Sequence, residues 1–244
     1  MEWRDEGIIL GQRGHGETNT VLEVLTRHHG RHAGLVRGGR SRRMQAALQP
    51  GNGVTLVWRA RLEDHLGNFS VEPTHQRAAG LMASSQGLHG LNSMVALLLK
   101  LAEREPHPRL YEMMGLTLDN LEAPLLAGVL MLRFELAFLD ELGFGLDLGQ
   151  CAATGSVDEL IYVSPKSARA VSAAAGAPYH DQLLSLPLFL RDDGLVETAN
   201  IDDVKAGARL TGYFLERHVL RPRGHDMPPD RARFFARICA EPPA

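Results

Sequence analysis

The chain has 244 residues, 44% hydrophobic and 23% charged, which suits one large or two small packed domains and excludes a disordered chain. Its 29 acidic and 26 basic side chains leave a net charge of −3, so only the distribution of charge can speak of partners. Two cysteines, Cys151 and Cys239, exclude a disulfide framework.

The first residues, Met1-Glu2-Trp3-Arg4-Asp5-Glu6, are polar and acidic, unlike a signal peptide. Residues 1–75 then read as strands. Gly7-Ile8-Ile9-Leu10-Gly11 is a short apolar run closed by glycines, and residues 18–26 are rich in Thr, Val and Leu. His28-His29-Gly30-Arg31 suits a turn, and residues 33–37 form the next strand. Residues 53–61 alternate, with Val54, Leu56, Trp58 and Ala60 on one face and Thr55, Val57, Arg59 and Arg61 on the other. A turn at Leu66-Gly67-Asn68 leads into Phe69-Ser70-Val71-Glu72. Five short strands with no helix-period stretch among them predict a small barrel, and the OB-fold is the nucleic-acid-binding barrel of that size.

Pro73 marks a change of period, and residues 76–244 are expected to form an all-α domain, giving an α+β chain overall. Helical patterns cover residues 88–103, 108–121 and 124–142. The last has Pro124 inside its start and Gly143 past its end, and is apolar nearly all round. Because it also holds Arg133, Glu135, Asp140 and Glu141, it argues against a membrane span, and a soluble cytoplasmic protein is expected. A loop-rich segment, 147–190, and helices over 202–220 and 230–240 complete the chain. Asp192-Asp193-Gly194 reads as a turn.

Charge is sorted along this chain. Residues 24–62 contain no Asp or Glu but eight arginines and three histidines, His28, His29 and His32. Such a field attracts a polyanion, most commonly nucleic acid. Arg13, Arg27, Arg31, Arg37, Arg40, Arg42, Arg43, Arg59 and Arg61 are the candidate phosphate contacts. The sharpest local signal is Gly34-Leu35-Val36-Arg37-Gly38-Gly39-Arg40-Ser41-Arg42-Arg43, where glycines let backbone approach a phosphate and arginine forks match its oxygens. Trp58 is expected in the core, and Phe69 fits either core or surface, so binding by arginine to backbone is favoured over base stacking.

Catalytic patterns are missing. Gly11-Gln12-Arg13-Gly14-His15-Gly16-Glu17 lacks the Gly-Lys-Ser/Thr ending of a phosphate loop. No nucleophile elbow or His-Glu-x-x-His is present, and His28 and His32 lack a partner ligand pair, so no enzyme, metal or cofactor is expected.

One ordered set of motifs runs through the chain: Asp5-Glu6-Gly7-Ile8-Ile9-Leu10 with Gly16-Glu17, and Leu35-Val36-Arg37-Gly38-Gly39-Arg40. It continues through Leu132-Arg133-Phe134-Glu135-Leu136-Ala137, Leu142-Gly143-Phe144, Leu146-Asp147-Leu148, Cys151, Ser164-Pro165-Lys166 and Arg221-Pro222. In these motifs the chain resembles the RecO family of bacterial recombination mediators. The resemblance implies an OB-fold followed by a helical domain. It implies binding to single- and double-stranded DNA, annealing of complementary strands, and RecA loading with RecR and the single-stranded-DNA-binding protein. It also makes Arg133 a candidate anchor for that protein's acidic C-terminal tail, the alternative being an internal carboxylate such as Glu112 or Glu122. One departure stands out: many members carry a four-cysteine zinc site, whereas here Cys151 is followed by Thr154, Ser172 and Ala175. Zinc is therefore not expected, and Tyr162, Val163, Tyr179 and Leu183 are expected to hold that segment by packing. An RNA-binding or translation accessory protein and a nucleic-acid enzyme with a dispersed site are the competing readings.

Overall fold

The structure is a computed structural model, described here for residues 1–191 and 199–240. The Asp192-Asp193-Gly194 turn lies outside the described residues. Two compact units divide the chain, Met1–Asp119 and Asn120–Ala244. The sequence drew its boundary at residue 75, where strand gives way to helix; three helices beyond that point are counted with the barrel.

The first unit is built on β1 (Glu2–His15), β2 (Asn19–Thr26), β3 (Arg31–Val36), β4 (Gly53–Arg59) and β5 (Asn68–His75). They close as β1-β2-β3-β5-β4, with β3 and β5 meeting in parallel at Leu35 and Asn68. A closed five-stranded barrel of this order is an OB-fold. The first strand is far longer than its apolar run. Its first half pairs with β4 and its second half with β2, and a bulge between Ile9 and Gly11 bends it from one to the other. Gly11 therefore lies inside the strand rather than closing it.

Alternation sets the core. Val54, Leu56 and Trp58 of β4 point inward, with Ile9, Leu22, Val24, Val36 and Phe69. Leu48 plugs the barrel from the end of α1 (Arg42–Ala47), a short helix between β3 and β4. That helix corrects the expectation of an unbroken loop around Arg42 and Arg43. Asn52 ties the connections together. Its amide donates to the Ala46 and Ala47 carbonyls, and its oxygen accepts from the Arg77 and Ala78 amides opening α2 (Ala78–Ala83). Two longer helices follow, α3 (Ser85–Leu98) and α4 (Pro108–Asp119). Arg77 grips Asp119 at the end of α4 through two bonds of 2.5 and 3.0 Å. The β2–β3 turn needs Gly30: φ is +69°, and a Cβ there would lie 2.1 Å from the Glu105 carbonyl oxygen.

The second unit is organised around α5 (Pro124–Glu141), with Pro124 at its first turn and Gly143 at φ +79° beyond its end. Against it pack α7 (Ile201–Phe214), which continues as a π-helical stretch through Leu215–Leu220, and α8 (Pro229–Ile238). Asn200 and Asp203 form a capping box at the start of α7. A buried ion pair joins the three helices: Arg231 of α8 grips Glu135 of α5 at 2.7 and 2.9 Å, and the Thr211 hydroxyl of α7 donates to the same carboxylate at 2.6 Å. Within the loop-rich insertion lie three short strands, β6 (Leu160–Val163), β7 (Ala170–Ser172) and β8 (Leu184–Ser185), ordered β7-β6-β8. A one-turn helix, α6 (Ala173–Gly176), follows β7. Val163 is buried as expected, and a Cβ on Gly176 would meet the Tyr162 ring at 2.5 Å, but Tyr179 is 60% exposed and contributes little packing.

Candidate nucleic-acid interface

The basic stretch separates into two sets of arginines. The β1–β2 turn, residues 16–18, and the β3–α1 turn, residues 37–41, lie side by side at one end of the barrel. The Arg40 amide donates to the Thr18 carbonyl at 3.0 Å and its guanidinium to the Gly16 carbonyl at 2.9 Å. The Gly38 amide donates to the Asn19 side chain at 3.2 Å. Around this stitched pair of turns stand Arg13, Arg37, Arg40, Arg42 and Arg43, all exposed. None of the five forms an ion pair among the described residues, so no carboxylate neutralises them, although one Arg40 nitrogen is engaged with the Gly16 carbonyl. Glu17 is the one acidic side chain in the two turns.

The other set is mostly engaged. Arg31 is turned inward, its side chain 14% exposed, paired with Glu23 and Glu103 and donating to the Leu101 carbonyl. Arg27 lies 2.5 Å from Glu112 and 3.7 Å from Glu6. Arg59 donates to Glu2 at 2.9 Å, a bond that lowers the Glu2 carboxyl and raises the Arg59 guanidinium. Arg61 lies just past β4, exposed and without an ion pair among the described residues. The sorting of charge in sequence is thus partly internal pairing, with partners from outside the acid-free stretch.

At the other end of β2 sits a cluster that composition did not announce. The β1–β4 register places Trp3 opposite Trp58. His29, on the β2–β3 turn, stacks on Trp3 with centroids 4.1 Å apart and planes 6° apart. His32 of β3 meets both tryptophans edge-on at 5.1 Å. Beneath them Asp5, its side chain 3% exposed, accepts from the His28 and Glu6 amides and from the Nδ1 atoms of His28 and His29. Burial pushes the Asp5 carboxyl up, but these bonds outweigh it and leave it below its ordinary value. Burial, with Arg104 nearby, holds His32 below the usual histidine value. Phe69 is buried at the edge of this cluster, which resolves the choice between core and surface. Only the strand register brings Trp3 and Trp58 together, so sequence spacing gave no sign of it.

In the second unit Arg133 is half-buried, and its fork closes on the Phe189 carbonyl at 3.2 and 2.9 Å. Of the carboxylates expected for it, Glu112 pairs with Arg27. On the same helix Glu135 pairs with Arg231. Cys151 is buried and accepts from the Ser172 amide at 3.3 Å; hydrogen bonds from the Ser172 and Thr154 side chains lower its thiol to about 6. Among the described residues no group of three His, Cys, Asp or Glu could hold a metal, and no helix is long and apolar enough to cross a membrane.

Residues 1–77 match the family described as Recombination protein O N terminal, and residues 86–227 match Recombination protein O C terminal. The chain is 55% identical over 240 residues to the DNA repair protein RecO of Methylorubrum populi, covering 97% of this chain and 98% of the relative. It is 56% identical over 240 residues to the protein of the same name from Mesorhizobium japonicum, covering 98% and 94%. With that from Rhizobium etli it shares 56% over 224 residues, covering 92% and 87%.

Proposed function

Because the chain belongs to the RecO family of DNA repair proteins, we propose that it is a DNA-binding mediator of recombinational repair with no catalytic site of its own. It binds single- and double-stranded DNA, anneals complementary strands, and with RecR helps load RecA onto gaps coated with the single-stranded-DNA-binding protein. It works in the cytoplasm, at the nucleoid. The observation that carries this reading is the set of five exposed arginines, Arg13, Arg37, Arg40, Arg42 and Arg43, at one end of an OB barrel. Forks spread over two stitched turns suit a phosphate backbone, which fixes position without reading sequence. Arg133, a cation within the mostly apolar helix α5, is the proposed contact for the acidic tail of the single-stranded-DNA-binding protein.

Annealing of complementary strands coated with the cognate single-stranded-DNA-binding protein tests the proposal. Acceleration by this protein is expected, and no acceleration on coated or bare strands would overturn it. Parallel binding to single strands, duplex and structured RNA separates it from the RNA-binding reading, since preference for structured RNA would favour the latter.

A further inference from the structure

The histidine–tryptophan cluster encloses more than packed core. Trp3, His29, His32, Trp58, Glu63 and Arg104 border a cavity of about 180 Å³ at the mouth of the barrel. His32 and Trp58 are buried beneath it, Trp3 and His29 are half-exposed, and Glu63 is exposed at its rim. The opening is framed deliberately by backbone. Arg104 holds φ at +65°, its amide bonds the Arg31 carbonyl at 2.8 Å, and its guanidinium reaches the Glu63 and His65 carbonyls of the β4–β5 loop. A non-glycine residue in that conformation persists only where its surroundings impose it.

The lining narrows the guest. Its lining is largely aromatic, and the rings exposed at the opening are the half-exposed Trp3 and His29, which favour a flat guest. The Glu63 carboxylate, and the guanidinium N–H groups of Arg104 not engaged with the Glu63 and His65 carbonyls, offer an acceptor and donors to an edge. The volume falls below that of pockets that enclose whole small-molecule ligands, and it suits one heteroaromatic ring system. The cavity also lies near the phosphate-type arginines on the scale of a bound strand. Those arginines cluster at the Asn19 end of β2 and the cavity at its Thr26 end, a separation on the order of 20 Å along an eight-residue strand. An OB-fold contacts roughly 4–16 nucleotides of single strand, enough to span that distance.

The geometry points to this cavity as a nucleobase site, taking one unstacked base of a single DNA strand whose phosphates the arginine cluster holds. The inference rests on the DNA-binding reading above and adds a base contact to it. Both tryptophans of the chain border the cavity, so intrinsic fluorescence reports on it directly.

The test titrates the full-length protein with a labelled oligothymidylate and with an abasic strand of the same length. Anisotropy of the label reads binding and tryptophan emission reads the cavity. The expected result is quenching by the base-bearing strand alone, with the abasic strand bound about 5- to 100-fold more weakly at an unchanged salt slope. His29→Ala and Arg104→Gln are expected to reduce the quenching and remove most of the difference between the two strands. Binding without quenching, or equal quenching by the abasic strand, overturns the base site and leaves the phosphate contacts standing. Absence of binding to either strand overturns both readings.

Discussion

Asp5 shows how one buried side chain ties acid sensitivity to this barrel. Its carboxylate accepts four hydrogen bonds, two from backbone amides and two from histidine rings. Asp5→Ala strands those donors, and a loss of about 2–4 kcal/mol in denaturant unfolding is expected. The pH dependence has a fixed sign. A depressed carboxyl adds stability that is present above the unfolded value, about 3.9, and lost as pH falls through the folded one. A depressed histidine acts on the same side: below about 6.5 the unfolded chain takes the proton more readily, so stability falls as His32 is acidified. His32→Phe should therefore remove part of the loss below pH 6.5 and keep the limb near pH 4, measured as the difference in Tm between variant and parent. Arg133 is a second residue with a readable outcome. If its guanidinium anchors the tail peptide, Arg133→Ala weakens peptide binding while binding to bare DNA stays nearly intact. If it serves only to hold the Phe189 carbonyl, the variant loses Tm and binds peptide normally.

At the scale of elements, α5 was legible because Pro124, Gly143 and a mostly apolar stretch between them all agree. The short helix α1 was not. Its six residues bury nothing fully, so they carry no period to read. Strands of two to four residues, such as β6, β7 and β8, are too short to show alternation. The length of β1 was hidden for another reason: its bulge shifts the pattern midway, and Gly11 and Gly14 look like breaks. Nor does spacing reveal a partner 96 positions away, which is the separation of Glu135 and Arg231. Breaking that pair leaves an uncompensated buried charge. Glu135→Ala is expected to cost about 3–5 kcal/mol, measured by chemical denaturation, while Glu216→Ala at the exposed pair with Arg221 stays within about 1 kcal/mol.

For the whole molecule, the acid-free stretch was visible in sequence, but its meaning divided once partners were placed. Arg31 and Arg27 answer to carboxylates of their own unit, while the arginines of the two stitched turns do not. A linear chain shows the cations; it cannot show which carboxylates fold back onto them. The segment around Cys151 follows the same logic. Ser172 and Thr154 supply hydrogen bonds to the thiol, and a three-stranded sheet carries the segment. The purified protein is expected to contain no stoichiometric zinc and to keep its Tm in chelator; one zinc per chain by elemental analysis would contradict this. The central claim, that the arginine end of the barrel grips the DNA backbone, has a direct measure in the salt dependence of single-strand affinity. Each phosphate contact contributes about 0.7 to the slope of log affinity against log salt. Replacing Arg37, Arg40, Arg42 and Arg43 with alanine should weaken binding alike across sequences and flatten that slope by roughly 3. A folded quadruple variant with the parent slope would contradict the account.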